Sequence, residues 1–286
     1  MGEATGKALL SRKHKVLFLD IDKAKLDKLN YEHYHLACDA REYCYTRSYD
    51  VVMFCINTPT LENGSQNLSF IGAALESFAQ KYKFRNLPVI VIRSTVLPGT
   101  TRKQFIPILE KASKKQAGKD FGVCVMPEFL RAKSALKDAF HPWSIVVGSL
   151  DEYSNEILED LYGGVAPVTT TSLSLEEAEF IKYICNLFNA TKISFSNEMW
   201  MIAKRLGIDA NKALRVARWS AEGYWRAEYG IEGGYPWGGD CLPKDSAAML
   251  AFALKNGVRM PQLEATIQVN KRESFQTSGQ SKERMK

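Results

Sequence analysis

Five short apolar runs alternate with longer helical stretches in the first half of this 286-residue chain. The runs cover residues 15–20, 51–56, 89–93, 123–126 and 144–148, and they are rich in valine and isoleucine at consecutive positions. Such runs are typical of strands that are covered on both faces. The stretches between them carry apolar side chains at helical spacing, at residues 22–30, 71–82 and 101–114. Strands that alternate with helices predict an α/β fold with a parallel sheet between two helical layers.

The second half of the chain has a different, helical pattern. Ser174 and Glu177 form a capping-box sequence, and apolar residues then recur without a breaker as far as Leu206, before Gly207. At about 1.5 Å per residue this helix is longer than about 45 Å, too long for a routine crossover between strands. Asp209 is expected to cap a following helix, and residues 244–255 predict another. We therefore predict an α/β domain at 1–172, an all-helical domain at 173–270 and a disordered polar tail at 271–286.

Charge and cysteine content exclude several classes of protein. The net charge is +6, but half of it lies in the last 16 residues, so the folded body lacks the basic clustering of a nucleic-acid-binding protein. No apolar run is long enough to span a membrane. The six cysteines are scattered without a CxxC pair, which predicts neither a disulfide framework nor a metal site. We expect a protein of the reducing cytoplasm.

The first 20 residues are similar to part of a dinucleotide-binding unit. In such a unit a strand leads into GxGxxG, then a helix and a second strand that ends in an acidic residue. Asp20 ends the run at 15–20 and lies 18 residues after Gly2, which fits if Gly2 is the third glycine. We therefore expect the domain at 1–172 to be a Rossmann-like, dinucleotide-binding domain that is truncated at its first strand, because that strand and two glycines would precede residue 1.

Five motifs occur in a specific order along the chain. They are INTPT at 56–60, RSTVLPGT at 93–100, PEFLR at 127–131, the pair Lys182 and Asn186, and GGDCLPKD at 238–245. With these motifs the chain resembles the UDP-glucose/GDP-mannose dehydrogenase family of nucleotide-sugar 6-dehydrogenases, from Gly2 to about Asn270. No single motif is decisive, but five in order are highly specific.

The residues of these motifs suit the chemistry independently of the family. Lys182 and Asn186 are four residues apart, so one helix face carries a cation beside an amide, a pair that can stabilise an oxyanion. Cys241 follows two glycines, which let a ligand approach the backbone. Lys244 and Asp245 come next, so a helix that starts here brings thiol, amine and carboxylate together.

The resemblance implies an NAD-dependent, four-electron oxidation of a sugar C6 alcohol to a carboxylate, with UDP-glucose or a related UDP-sugar as substrate. Cys241 would form a thiohemiacetal and then a thioester, and Lys182 would stabilise the oxyanion. Asn186 and Asp245 would orient the reacting groups, while Thr95 and Glu128 would hold a water for proton transfer. The implied cofactor-binding residues are Gly2, Asp20, Lys25, Thr58, Thr95 and Lys244. The implied substrate-binding residues are Glu128, Phe129, Leu130, Lys182, Asn186, Gly238 and Gly239.

The chain departs from the family pattern in four places. The first strand and the C-terminal nucleotide-binding domain are expected to be missing. Ala132 stands where the family usually has a second glutamate, and Asp240 replaces a small residue before the cysteine. Two alternatives therefore stay open: a GDP-mannose 6-dehydrogenase, and an inactive family member that acts as a dimerisation or binding partner. The long helix resembles the family's dimer-forming helix, so we expect a homodimer.

Overall fold

The computed structural model describes residues 1–31, 37–38, 47–131, 133–163, 165 and 173–271. The chain divides into two compact units, Met1–Cys185 and Asn186–Lys286. The predicted polar tail from residue 272 onward and the departure at Ala132 lie outside the described residues. Among the helices that are described, none combines the length and the apolar character needed to cross a membrane.

The first unit contains two small sheets. Strands β1 (Phe18–Leu19) and β2 (Ala37–Cys38) form a parallel pair, and a second sheet has the order β3 (Val51–Phe54), β4 (Val89–Ile92), β5 (Gly122–Val125) and β6 (Gly148–Ser149). The strands β3, β4 and β5 are parallel, as predicted, whereas β6 runs antiparallel to β5. Because β1 and β3 belong to different sheets, the central position of a Rossmann sheet between them is not filled by a described strand.

The apolar run at 144–148 contributes only its last residue to a regular strand. Ile145 and Val147 are buried in the same apolar cluster as Leu158 and Tyr162, so contact with the neighbouring helix explains their apolar character. Burial and strand pairing leave the same pattern in a sequence, so the apolar run does not by itself give the bounds of the strand.

Helices separate the strands in the predicted order. The first unit contains α1 (Gly2–Ser11), α2 (Lys23–Tyr31), α3 (Ser69–Lys81), one π-helical turn (Thr101–Phe105) that continues into α4 (Ile106–Ser113), α5 (Ala135–Phe140) and α6 (Glu152–Tyr162). The long helix α7 (Leu175–Arg205) begins in the first unit and ends in the second. The second unit continues with α8 (Ala210–Ala217), α9 (Glu222–Trp225), α10 (Cys241–Lys255) and α11 (Pro261–Asn270).

Strand β4 is buried on both faces, and its side chains alternate between two cores. Ile90 and Ile92 belong to the core formed with α3 and α4, while Val89 and Val91 belong to the core formed with α6. This alternation is the period of two expected for a central strand between two helical layers. It places the carboxyl ends of β3, β4 and β5 at one edge, where ligands bind in such sheets.

The predicted boundaries of α7 are confirmed by its end contacts. Ser174 Oγ accepts a hydrogen bond from the Glu177 backbone N–H at 3.2 Å, and Glu177 Oε2 accepts one from the Ser174 N–H at 2.7 Å. At the other end Gly207 has φ +70°, a left-handed conformation that stops the helix. Asp209 caps α8 as predicted, by accepting from the Lys212 N–H at 3.0 Å.

The second unit has a small core of its own. Ile202 of α7, Ala253 of α10 and Met260 before α11 are buried together. The buried carboxylate of Glu198 accepts hydrogen bonds from the backbone N–H groups of Gln262, at 2.6 Å, and Leu263, at 3.2 Å. Glu198 thereby satisfies free donors at the start of α11.

Candidate functional site

The motif segments INTPT and RSTVLPGT follow β3 and β4 and are joined by hydrogen bonds. Thr58 Oγ1 donates to the Thr95 carbonyl at 2.9 Å, and Gln66 Nε2 donates to the same carbonyl at 3.0 Å. Ser94 Oγ donates to the Ile56 carbonyl at 2.6 Å and accepts from the Ile56 N–H at 3.0 Å. Two of the predicted cofactor-binding residues, Thr58 and Thr95, are therefore in direct contact.

Glu179 of α7 holds the second of these segments in place. Its side chain is 2% exposed, and its carboxylate accepts from the backbone N–H groups of Gly99 and Thr101, the latter at 2.8 Å. Burial raises the pKa of Glu179, although the hydrogen bonds from Thr101 and Gly99 oppose that shift. Gly99 has φ +87°, which favours glycine at this turn.

Lys182 and Glu128 form the central pair of the site in the first unit. Lys182 is only 6% exposed and lies one helical turn after Glu179 on α7. Its Nζ donates to the Glu128 backbone carbonyl and lies 3.6 Å from Glu128 Oε1. The Phe129 ring centroid is 5.3 Å from the same nitrogen, and Glu128 Oε2 accepts from the Leu130 N–H at 2.7 Å. Four of the predicted catalytic and substrate-binding residues thus lie together.

This pair can stabilise negative charge on a substrate oxygen. An ammonium group has three donors, and the Glu128 carbonyl takes one of them. Because the group is desolvated, a charge that develops beside it interacts more strongly than it would in water. The Glu128 carboxylate beside it can accept a proton or orient a water.

The residues expected to bind the dinucleotide fit that role in part. Gly2 is the first residue of α1, and a Cβ atom built on it would lie 3.2 Å from the Cβ of Cys55 after β3, so the helix approaches that segment closely. No side chain caps this end of α1, and its first N–H groups can therefore face an anion. Asp20 follows β1, accepts from the Asp22 N–H at 2.9 Å and lies 3.6 Å from Lys25 Nζ. A partly exposed carboxylate at this position can accept hydrogen bonds from ribose hydroxyls.

The other predicted residues lie in the second unit. Cys241 is exposed, has a free thiol and is the first residue of α10, which begins three residues earlier than predicted. Lys244 Nζ and Asp245 Oδ1 are 2.6 Å apart and both side chains are exposed. Gly239 has φ +76°, so the backbone before the thiol requires glycine for its conformation, whereas a Cβ on Gly238 would meet no atom within 4 Å. Asn186 is an exposed residue of α7.

Sequence reasoning missed Glu179 and the burial of Arg93. The only sequence signal for Glu179 was its position three residues before Lys182, which places both on one face of α7. Arg93 belongs to the RSTVLPGT motif, but nothing in the motif indicates that its side chain is 9% exposed.

Comparison with known proteins places both halves of the chain in one family. Residues 40–166 match the profile described as UDP-glucose/GDP-mannose dehydrogenase family, NAD binding domain, and residues 176–272 match the central domain of the same family. GDP-mannose 6-dehydrogenase of Pseudomonas putida is 35% identical over 94% of this chain and 66% of its own length. A UDP-glucose 6-dehydrogenase of Bacillus subtilis is 35% identical over 79% of this chain and 47% of its own length.

A solved structure agrees with these sequence relatives. The ternary complex of GDP-mannose dehydrogenase from Pseudomonas aeruginosa superposes with a TM-score of 0.87 at 32% identity, covering 94% of this chain and 66% of that one. The chain spans between about half and about two thirds of the length of the curated relatives it matches.

Proposed function

Because this chain belongs to the UDP-glucose/GDP-mannose dehydrogenase family, we propose that it carries the catalytic part of an NAD-dependent nucleotide-sugar 6-dehydrogenase. The reaction is the four-electron oxidation of a sugar C6 alcohol to a carboxylate. The observation that carries the proposal is the buried Lys182 ammonium against Glu128, because it supplies a desolvated cation beside a carboxylate.

The residues of the first unit bind and orient the sugar in this proposal. Lys182 holds the C6 oxygen as negative charge develops on it. Glu128 and Thr95 hold a water for proton transfer, and the segment formed by Phe129 and Leu130 contacts the substrate.

The residues of the second unit supply the covalent step. The Cys241 thiol adds to the aldehyde carbon to form a thiohemiacetal, and oxidation of that adduct gives a thioester that water hydrolyses to the acid and the free thiol. Asp245, one helical turn after Cys241, and Asn186 orient the reacting groups. The exposure of Cys241 at the start of α10 supports this role, since a substrate can reach the sulfur.

The cofactor residues in this proposal are Gly2, Asp20, Lys25, Thr58, Thr95 and Lys244. NAD⁺, when bound, supplies the hydride acceptor for each of the two oxidations. The N–H groups at the start of α1 would hold its phosphates, and Asp20 would accept hydrogen bonds from its ribose.

We propose GDP-mannose rather than UDP-glucose as the preferred substrate. The resemblance seen in the sequence implies a UDP-sugar, with GDP-mannose as the alternative. Six relatives named GDP-mannose 6-dehydrogenase are 34–39% identical to this chain. The GDP-mannose dehydrogenase structure also superposes with a higher TM-score, 0.87, than a UDP-glucose dehydrogenase of Pyrobaculum islandicum at 0.67.

The test is NADH formation, followed at 340 nm, with each of the two nucleotide sugars. We expect two NADH per GDP-mannose and a smaller rate with UDP-glucose. Cys241→Ser should abolish the second oxidation, whereas the control Cys185→Ser, at a half-buried cysteine of α7, should retain activity. Absence of NADH with both sugars, together with binding to a full-length homologue, would instead support the inactive binding partner.

We further propose a homodimer that forms through the central helices. In the second unit α7 exposes large apolar side chains, with exposed fractions of 61% for Leu187, 58% for Phe188 and 42% for Phe195. These three positions lie within about 100° of one another around the helix, so they form one apolar face, which is typical of an interface between subunits. Light scattering after size exclusion should show a dimer, which Leu187→Glu disrupts and the exposed control Lys212→Glu does not. A monomeric wild-type chain would contradict this assembly.

We also propose that the protein works in the reducing cytoplasm. The mechanism needs Cys241 as a free thiol, and the cysteines at 55, 124, 185 and 241 are all unpaired. Thiol titration of protein purified without reductant should find Cys241 reduced, and a stable disulfide at this residue would argue against that location.

A further inference from the structure

A cavity of about 50 Å³ lies within the first unit, apart from the start of α1 where the cofactor is proposed to bind. It is lined by later residues of α1, by Arg93 after β4, by the segment after β5, by α5 and by Tyr162 at the end of α6. This is room for about three to five water molecules, or for one small tetrahedral oxyanion.

Four polar atoms around this cavity are buried without a hydrogen-bond partner. They are Thr5 Oγ1 of α1, Arg12 Nη1 at the end of α1, Arg93 Nε after β4 and Tyr162 OH of α6. Thr5 and Tyr162 are each 6% exposed and Arg93 is 9% exposed. Buried polar groups in folded proteins nearly always have a partner, so four such atoms around one cavity indicate an occupant. Each of them can donate, and the two guanidinium atoms can only donate.

The negative groups that also line the cavity are already paired. Asp138 accepts two hydrogen bonds from the Arg131 guanidinium, at 3.0 and 2.7 Å, and one from Ser134 Oγ at 3.0 Å. Glu128 is paired with Lys182, as described above. Neither carboxylate is therefore available to balance a further positive charge.

The guanidinium groups of Arg12 and Arg93 have no carboxylate from the described part of the chain beside them to neutralise their charge. Among the described residues, no carboxylate lies within 4.0 Å of Arg12 or Arg93. Arg12 Nη2 donates to the Phe140 carbonyl at 3.1 Å, which leaves Nη1 free. Burial lowers the pKa of Arg12 and raises the pKa of Tyr162, so the tyrosine keeps its proton and can donate it.

We propose that this cavity binds one inorganic phosphate ion, held by the guanidinium groups of Arg12 and Arg93 and by the hydroxyls of Thr5 and Tyr162. An oxyanion with four acceptor oxygens matches four donors of which two are cationic. The same chemistry is present in the phosphate of a nucleotide, but the cavity has no room for a nucleoside.

The experiment is isothermal titration calorimetry of the whole chain with potassium phosphate, at constant ionic strength set by chloride. We expect one saturable site per chain. Arg93→Met and Arg12→Met should each weaken binding about tenfold or more, because each removes a charge-assisted donor. The control Arg102→Met, at a half-exposed arginine paired with Glu176, should change the Kd by less than about twofold. AMP should not compete with phosphate for this site, because the cavity has no room for its nucleoside.

Two conservative variants keep the proposal testable if the arginine variants do not fold. Tyr162→Phe and Thr5→Val each remove one hydroxyl, and each should weaken phosphate binding measurably without loss of the folded state. No saturable heat with the wild-type chain would overturn the proposal. Phosphate binding that is unchanged in all four variants would also overturn it. Loss of that binding in Asp20→Ala would then place the ion at the cofactor site.

Discussion

The carboxylate of Glu179 offers a sharp test of how the segment beside the site is held. In Glu179→Ala, the buried N–H groups of Gly99 and Thr101 lose their acceptor. Each unpaired buried donor costs about 1–3 kcal/mol, so the variant should lose roughly 2–6 kcal/mol of unfolding free energy. For a unit of this size that is a decrease in Tm of roughly 5–15 °C.

The matched control is Glu176→Ala on the same helix. Glu176 forms a surface ion pair with Arg102, with N–O 2.6 Å and both side chains about 40% exposed, and such pairs contribute about 0–1 kcal/mol. Urea unfolding followed by circular dichroism measures both variants. If Glu179→Ala loses no more stability than Glu176→Ala, the assignment of Glu179 as the acceptor for this segment is refuted.

The pH dependence of the same site gives an independent measurement. Because burial raises the pKa of Glu179 in the folded state, the native protein binds this proton more tightly than the unfolded chain. The stability contributed by the group is therefore complete at low pH and is lost as pH rises through the raised pKa. Glu179→Gln has no proton to lose, so its stability deficit relative to wild type should narrow with rising pH. A deficit that widens would contradict the sign of the shift.

Three other changes test separate parts of the molecule. Arg131 lowers the pKa of Asp138, so the stability from this pair is present at neutral pH and is lost as pH falls. In Asp138→Asn the free energy of unfolding, measured with urea, should therefore decrease less between neutral and acid pH than it does in the wild type. An equal decrease would count against the pairing. A Cβ on Gly6 would lie 2.2 Å from the Phe18 ring, so Gly6→Ala should lose about 1–3 kcal/mol of unfolding free energy in the same assay. No loss would mean that α1 can shift away from Phe18 without cost. Lys182→Met should lower kcat about 10²–10³-fold, while circular dichroism shows that the fold is retained. A change in KM alone would mean that Lys182 does not stabilise the transition state.

Patterns within single elements predicted most of the fold. The apolar runs at β3, β4 and β5 and the capping box at Ser174 depend on neighbouring residues, and all are confirmed. The strand β6 was less predictable, because its direction depends on pairing with β5 and the apolar residues before it are buried in the cores on either side of the sheet. The boundary predicted at residue 172 stays a prediction.

The candidate site could be predicted only where a motif carried it. Lys182 and Glu128 were expected together from the resemblance, and they are in contact. Arg12 and Tyr162 lie 150 positions apart in the chain and belong to no motif, so their meeting at one cavity depends on tertiary packing alone. The roles of Cys241, Asn186 and Asp245 stay predictions until the variants are measured.

The separation of β1 and β2 from the larger sheet has a consequence for amide hydrogen exchange. Each of these strands is two residues long, and Leu19 is 47% exposed, whereas the four residues of β4 are fully buried. Local opening of the β1–β2 pair therefore needs far less free energy than opening of β4, so its amides should exchange first. Asp20 follows β1, and the ribose contact proposed for it would be made by a part of the domain that opens more easily than β4. Part of the cofactor's binding energy would then be used to hold the β1–β2 pair in its closed state. Saturating NAD⁺ should therefore slow amide hydrogen exchange at Phe18 and Leu19 more than at β4.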